Sequence, residues 1–160
     1  MSIFLKFDGI DGDATEEGHK EWIAIDSFQM GVGRGISTPV GDAARRETSK
    51  PSISEIVFTK RMDKASLKLW ESSLIGNEGK TVKVDFTRTG DKGKLEVFAQ
   101  YELTNALISG YSVSSGGDSP NESISLNFTK FMFKFVGATG DNKKATGGSN
   151  SFDLATAKMG

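Results

Sequence analysis

The sequence predicts a mainly β protein, a sandwich or small barrel of short antiparallel strands with one α-helix beside it. Three observations carry that expectation. Apolar and polar residues alternate in run after run of the 160-residue chain, the period-2 mark of strands with one buried face. Turn-forming clusters rich in Gly, Ser and Asp separate the runs. Only one stretch, Thr59 to Gly76, replaces alternation with helical spacing.

Taken in order, "IFLKF" puts Ile3, Leu5 and Phe7 on one face and Phe4 and Lys6 on the other. "EWIAIDSFQM" has Ile23 and Ile25 on one parity but Phe28 and Met30 on the other, a phase slip that a bulge or bend produces. "SISEIVFTK" offers Ile56 and Phe58 together, and "KTVKVDFTR" alternates Val82, Val84 and Phe86 with Lys83, Asp85 and Thr87. A turn at "TGDKGK", with Gly90 and Gly93 able to take positive φ, leads into "LEVFAQYEL", where Leu95, Val97, Ala99, Tyr101 and Leu103 share a face. "ALISGYSV" reads as a further short strand, closed by the turn-rich "SSGGDSPNE". In "SISLNFTKFMFKF" the apolar parity passes from Ile124, Leu126 and Phe128 to Phe131, Phe133 and Phe135. A second bend is expected near Thr129 and Lys130.

The helix is expected over about 63–75, with Asp63 as N-cap and Gly76 just beyond its end. At about 100° per residue, Ala65, Leu67, Leu69, Trp70 and Leu74 cover more than half its circumference. A helix on one sheet needs an apolar stripe of only about 100° or slightly more. The excess is covered either by the long loop or by a neighbouring subunit. That loop, Gly33 to Pro51, far exceeds the usual connection of about 4–6 residues. The domain is expected to occupy residues 1–137. Residues 138–160, rich in Gly, Ser and Lys with one apolar knot at Phe152 and Leu154, read as a flexible tail with a short docking segment.

Composition excludes several classes. With 20 basic and 21 acidic residues, nucleic acid and anionic membranes are not expected as partners. No cysteine is present, so disulfides and thiolate metal sites are excluded. The first residues lack a basic leader followed by an apolar stretch, and no apolar run approaches the ~20 residues of a spanning helix. A soluble protein made in the cytoplasm, and exported if at all without a cleaved leader, is the expectation.

No motif points to chemistry. Gly31, Gly33 and Gly35 lack the G-x-G-x-x-G spacing and the following helix of a dinucleotide site, and suit a glycine-loosened strand end. Asp8, Asp11, Asp13, Glu16 and Glu17 lack EF-hand spacing, and suit a polar turn between strands. His19, the only histidine, reads as a surface residue before a strand. Neither a G-x-S-x-G elbow nor a visible carboxylate pair supports hydrolysis. Trp22, Trp70 and the eleven phenylalanines fit core packing better than stacking platforms. Neither an enzyme nor any cofactor or metal is expected.

Four segments together resemble the haemolysin-coregulated protein (Hcp) family, the tube subunits of bacterial type VI secretion systems. "FLKFDGIDGDATEEGHKEWIAI" resembles that family's opening strand, turn, "HK" and "W-I". "FTKRMDKASLKLWESSLIG" resembles its strand-to-helix junction, with Leu67 where the family often has proline. "LTNALISGYSVSSGGDSPNESISLNFTKFMF" is similar to its late strands, with Asn105, Ile108, Ser109 and Glu122 in the matching places. "SFDLATAK" is similar to its ending, with Ser151 and Phe152 in place of a Gly-Trp pair. The likeness spans almost the whole chain, and a phage tail-tube protein shares the architecture.

The resemblance implies a small antiparallel β-barrel of two sheets with one α-helix packed at its side. It implies a structural protomer of the inner tube, closing with five copies into a homohexameric ring. Rings stack into a hollow tube that meets a VgrG-type spike and a contractile sheath and carries small effector proteins in its lumen. A ring needs two different surfaces on each subunit. Leu69 and Trp70 on the helix, Arg34, Arg45, Arg46 and Glu47 in the long loop, and Phe152 in the tail are the interface candidates. The loop is assigned to the contact between stacked rings. A monomeric β-barrel that binds a small apolar ligand is the alternative of a different class.

Overall fold

A computed structural model describes residues 1–42, 44–90, 93–136 and 147–160. The strands are β1 (Ser2–Phe7), β2 (Ile23–Ile25), β3 (Ser27–Gln29), β4 (Val32–Gly33), β5 (Ile36–Ser37), β6 (Glu47–Thr48), β7 (Ser52–Ile53) and β8 (Ile56–Arg61). The helix α1 (Ser66–Ile75) follows, then β9 (Lys80–Thr89), β10 (Leu95–Ser114), β11 (Asn121–Asn127), β12 (Lys130–Phe135), β13 (Ser149–Asp153) and β14 (Lys158–Met159). The protein is mainly β, antiparallel, with one helix among the described residues.

Two sheets share β10. One runs β14-β13-β12-β10-β9-β1-β2, and the other β10-β11-β8-β3. The expected barrel needs correction, because the ladders form two joined sheets and do not run round a closed cylinder. The chain crosses between sheets by bending. Asp26 separates β2 from β3, and Phe128 and Thr129 separate β11 from β12. Both crossings lie where the apolar parity slips, since a strand leaving one sheet for the other must present its opposite side to the same core.

The space between the sheets is filled by Leu5, Ile23, Ile56, Phe58, Val82, Val84, Leu103, Ile124 and Leu126, all fully buried. Each such side chain contributes about 1.5–3 kcal/mol. Leu69 of α1 and Ala65 at its cap join the same cluster.

"LEVFAQYEL" and "ALISGYSV" are one strand of 20 residues, not two. Its ladder shifts register between Val97 and Ala99, between Leu103 and Ala106, and between Ile108 and Gly110. Asn105 takes φ +57° at the second shift, a left-handed conformation that asparagine tolerates better than most residues. Gly79 lies against it, and a Cβ there would sit 1.5 Å from Asn105 Oδ1. In the β9–β10 turn Gly93 has the expected positive φ, whereas Gly90 does not; residues 91–92 lie outside the described residues.

Three further expectations change. Gly33 to Pro51 forms an exposed two-stranded ribbon, with β4 paired to β7 and β5 to β6. Val32, Ile36, Thr48 and Ile53 are β-branched residues that suit such pairing. The ribbon turns at Pro39–Asp42, where the Asp42 N–H reaches the Pro39 carbonyl and Gly41 takes φ +84°. His19 is 5% exposed and not a surface residue. Its ring stacks on Phe4 at 4.6 Å, because β1 is covered on both faces and Phe4 needs a lid. Of the expected flexible tail, 138–146 lie outside the described residues. From 147 the chain adds β13 and β14 to the sheet edge beyond β12.

Candidate self-association surfaces

The helix starts later than its first capping residue. Asp63 accepts from the Ala65 N–H at 2.9 Å, and the Ser66 hydroxyl accepts from the Asp63 N–H at 3.0 Å. This reciprocal arrangement precedes the regular turns, with Ala65 in the formal cap position. At the other end Gly76 has φ −65° and not the left-handed conformation of a usual C′ glycine.

A buried charge cluster fixes that start to the sheet. Lys60 on β8 and Glu122 on β11 are directly paired in register. Lys60 Nζ lies 3.0 Å from Glu122 Oε1, 2.8 Å from Asp63 Oδ1 and 3.1 Å from Ser66 Oγ, and it also donates to the Arg61 carbonyl. Ser66 donates to Glu122 Oε1, and the Tyr111 phenol donates to Oε2 at 2.6 Å. Burial pushes the Glu122 carboxyl up, but the hydrogen bonds from Ser66, Tyr111 and Lys60 prevail and hold it below its ordinary value. Burial, followed by the hydrogen bond and charge of Glu122, pushes the Tyr111 phenol far above its ordinary value.

The sequence reading missed this cluster, although a signal was present. Lys60 has the parity of Ile56 and Phe58, and Glu122 that of Ile124 and Leu126. Two opposite charges on core-facing parity mark a buried pair.

With its first turn anchored, α1 buries Ala65, Ser66 and Leu69 and turns its remaining apolar residues outward. Leu67 is 70% exposed, Trp70 49%, Leu74 65% and Ile75 71%. Leu69 has no exposed surface and belongs to the protomer's own core, so it has nothing to offer a neighbour. Trp70 is half outside. Beside the helix end lies an open groove of about 400 Å³ whose lining includes Phe7, Ile10, Lys68, Glu71 and Ile75.

A second apolar surface lies where the β12–β13 side of its sheet runs beyond the other sheet. Phe28, Phe86, Tyr101 and Phe133 form a continuous aromatic row, with Tyr101 stacked on Phe133 at 4.7 Å. The row begins in the core and ends in the open, with Phe133 and Phe135 exposed. Core packing therefore accounts for only part of the phenylalanines. Phe152 on β13 is half-buried opposite Phe131.

The loop candidates lie apart from both surfaces. Arg34 lies between β4 and β5, while Arg45, Arg46 and Glu47 follow the ribbon tip; all four are exposed. Arg45 pairs with Asp42 at 3.2 Å, an exposed contact of the kind that contributes about 0–1 kcal/mol. The structure thus separates the candidates into helix, tail and ribbon groups rather than one site.

Among the described residues, no group of three or more His, Asp or Glu is placed to hold a metal ion. Three of the five acidic residues from Asp8 to Glu17 are spent elsewhere: Asp11 on Lys6 at 3.0 Å, Asp13 on the Lys64 N–H, Glu16 on His19. Among the described residues, no helix is long and apolar enough to cross a membrane.

No curated protein sequence matches the chain. Among solved structures, one described as a type six secretion system protein superposes with a TM-score of 0.90 at 26% identity, covering 99% of both chains. Hcp1 from Salmonella typhimurium gives 0.74 at 20% identity over 99% of this chain and 97% of that one. A type VI secretion system effector from Yersinia pestis gives 0.73 at 24% identity over 94% and 98%. The family described as "Type VI secretion system effector, Hcp" matches residues 4–135. The chain therefore belongs to the Hcp family, secreted structural tube proteins of type VI secretion rather than enzymes.

Proposed function

We propose that this chain is the protomer of a type VI inner tube, in which six copies close into a ring and rings stack into a hollow conduit. The observation that carries the reading is the bare apolar face of α1. Four large residues stand outside a protomer whose own core is already filled without them. Interfaces between obligate partners resemble a domain core cut in half, and a ring needs two unlike surfaces on each subunit. The helix face supplies one and the exposed end of the aromatic row, Phe133 and Phe135, the other.

The ribbon tip, with Arg34, Arg45, Arg46 and Glu47, serves the contact between stacked rings, and Phe152 holds the tail against the ring-forming sheet. The tube meets a VgrG-type spike at its end and a contractile sheath around it, and small effector proteins travel in its lumen. Assembly takes place in the cytoplasm, and export follows contraction.

Sedimentation and negative-stain microscopy of the purified chain test this reading. Hollow rings of about six protomer masses are expected at micromolar concentration. A stable monomer there overturns it. Trp70→Glu with Leu74→Glu is expected to leave a folded monomer, because Leu74 is mostly exposed and Trp70 half exposed within the protomer.

A further inference from the structure

His19 is enclosed by two carboxylates and two aromatic rings. Its Nδ1 lies 2.5 Å from Glu16 Oε2 and its Nε2 2.8 Å from Asp85 Oδ2. Phe4 stacks beneath it, and the edge of Trp22 closes it at 4.7 Å. The second oxygen of Asp85 accepts from Gln100 at 3.0 Å. An ionised carboxylate only accepts hydrogen bonds, and a neutral imidazole has one N–H and one lone pair. A neutral ring in this position would aim its lone pair at one of the two carboxylates. With both carboxylates ionised, the geometry is satisfied only when both ring nitrogens carry protons.

The surrounding charges do not substitute for that proton. In the neighbouring row of the same sheet face, Lys6, Lys83 and Glu102 stand opposite one another, and Lys6 is committed to Asp11. Lys134 stands opposite Gln100 on β12. On the covering segment itself Glu17, Lys20 and Glu21 are exposed.

We propose that His19 is a proton-operated latch. As imidazolium it pins residues 11–22 to the outer face of the sheet formed by β1, β9 and β10. Loss of one ring proton to solvent base leaves a lone pair against a carboxylate and frees the segment. The segment is a small closed unit in its own right. The Gly12 N–H bonds the Glu21 carbonyl at 2.8 Å, Ala14 bonds Trp22 at 3.0 Å, and Glu21 bonds back to Ala14 at 2.8 Å. It therefore lifts as one piece. Its Asp13 carboxylate, which accepts from the Lys64 N–H at 3.3 Å, leaves the turn ahead of α1 with it. The state of the ring is thereby felt at the start of the helix. The hydrogen bond that His19 makes also holds the Glu16 carboxyl below its ordinary value, as a partner of a cation should be.

Hydrogen exchange of the full chain tests the latch from about pH 5 to about pH 9, the range around histidine titration, with rates corrected for intrinsic chemistry. The single histidine gives an unambiguous ring ¹⁵N signal in the same samples. Protection of peptides covering 11–22 is expected to fall by up to about tenfold per pH unit as pH rises towards the ring's midpoint in the folded chain, one proton being released on opening, and to level off above it. Peptides from β10 and β11 are expected to keep theirs. In His19→Gln, which does not titrate, the pH dependence of 11–22 is expected to vanish. Protection that stays flat below the ring's midpoint overturns the latch, as does a fall that continues beyond that midpoint or a slope that survives in His19→Gln. Should that variant fail to fold, whether the wild-type fall ends at the ring's midpoint decides alone.

Discussion

Lys60 and His19 are both nitrogen bases enclosed by carboxylates, yet they are built for different service. Lys60 lies between β8, β11 and the start of α1, with four acceptors around one ammonium group. The cluster holds the Glu122 carboxyl below its ordinary value, so the anchor on the helix does not switch near neutrality. His19 lies under a surface segment with two acceptors, one per ring nitrogen, and imidazole is the side chain whose charge changes near neutrality. One cluster fixes an element, while the other makes the hold on an element conditional.

Removing Lys60 should have the largest effect. Lys60→Met leaves Glu122 buried and uncompensated, and is expected to cost about 3–5 kcal/mol in urea unfolding. The double variant Lys60→Met with Glu122→Gln is expected to recover part of that loss, since replacing both partners removes the stranded charge. A cost for the single variant near that of a surface change would erase the contrast.

His19→Gln comes next, at about 1.5–3 kcal/mol near pH 6, the usual worth of hydrogen bonds to charged groups. If the latch acts as proposed, this difference shrinks with rising pH. On the acid side the sign reverses. The Glu16 carboxyl lies below its ordinary value, so its contribution is complete above the unfolded value and is lost as pH falls through the folded one. The Lys60 cluster should show no slope near neutrality. On the acid side its Glu122 carboxyl, also held below its ordinary value, loses its contribution with the same sign as Glu16. On the alkaline side its Tyr111 phenol is raised by burial and then by Glu122, and stability falls only when the unfolded phenol ionises, above about pH 10. Urea midpoints across pH for wild type and both variants separate the two behaviours.

Trp70→Ala should cost the protomer about 1–1.5 kcal/mol, roughly half the worth of a fully buried large side chain. Its larger effect should be loss of rings in sedimentation. If Arg45→Glu with Arg46→Glu acts where proposed, protomer stability stays within about 0.5 kcal/mol. Ring-on-ring stacking at low salt then weakens in electron micrographs.

The fold was legible wherever burial is set by neighbours along the chain. Val82 and Val84 alternate with polar residues and are buried, and the slips at Asp26 and Thr129 locate both crossings between sheets. Legibility failed where cover comes from afar. Asp85 and Thr87 read as solvent-facing, yet both are buried. His19, far earlier in the sequence, caps Asp85, while Thr87 bonds the Ser2 carbonyl. The ribbon read as a loop because strands of two residues leave almost no periodicity to detect. Helical spacing placed the wide face of α1 correctly but could not divide it. That division was decided by the Lys60–Glu122 pair, which rotates Leu69 inward and Trp70 outward.

The pairing of β1 has a consequence for synthesis. Leu5 is registered with Val84, and Ile3 with Phe86, so the first strand made meets its principal partner only after the ribbon and helix have been translated. Until then the apolar side of β1 has only the short β2 to lean on. Strand pairings so distant in sequence are slow to close, and exposed strand edges in waiting chains invite association with other chains. The nascent protein thus passes through an interval in which its stickiest strand is finished and its mate does not yet exist.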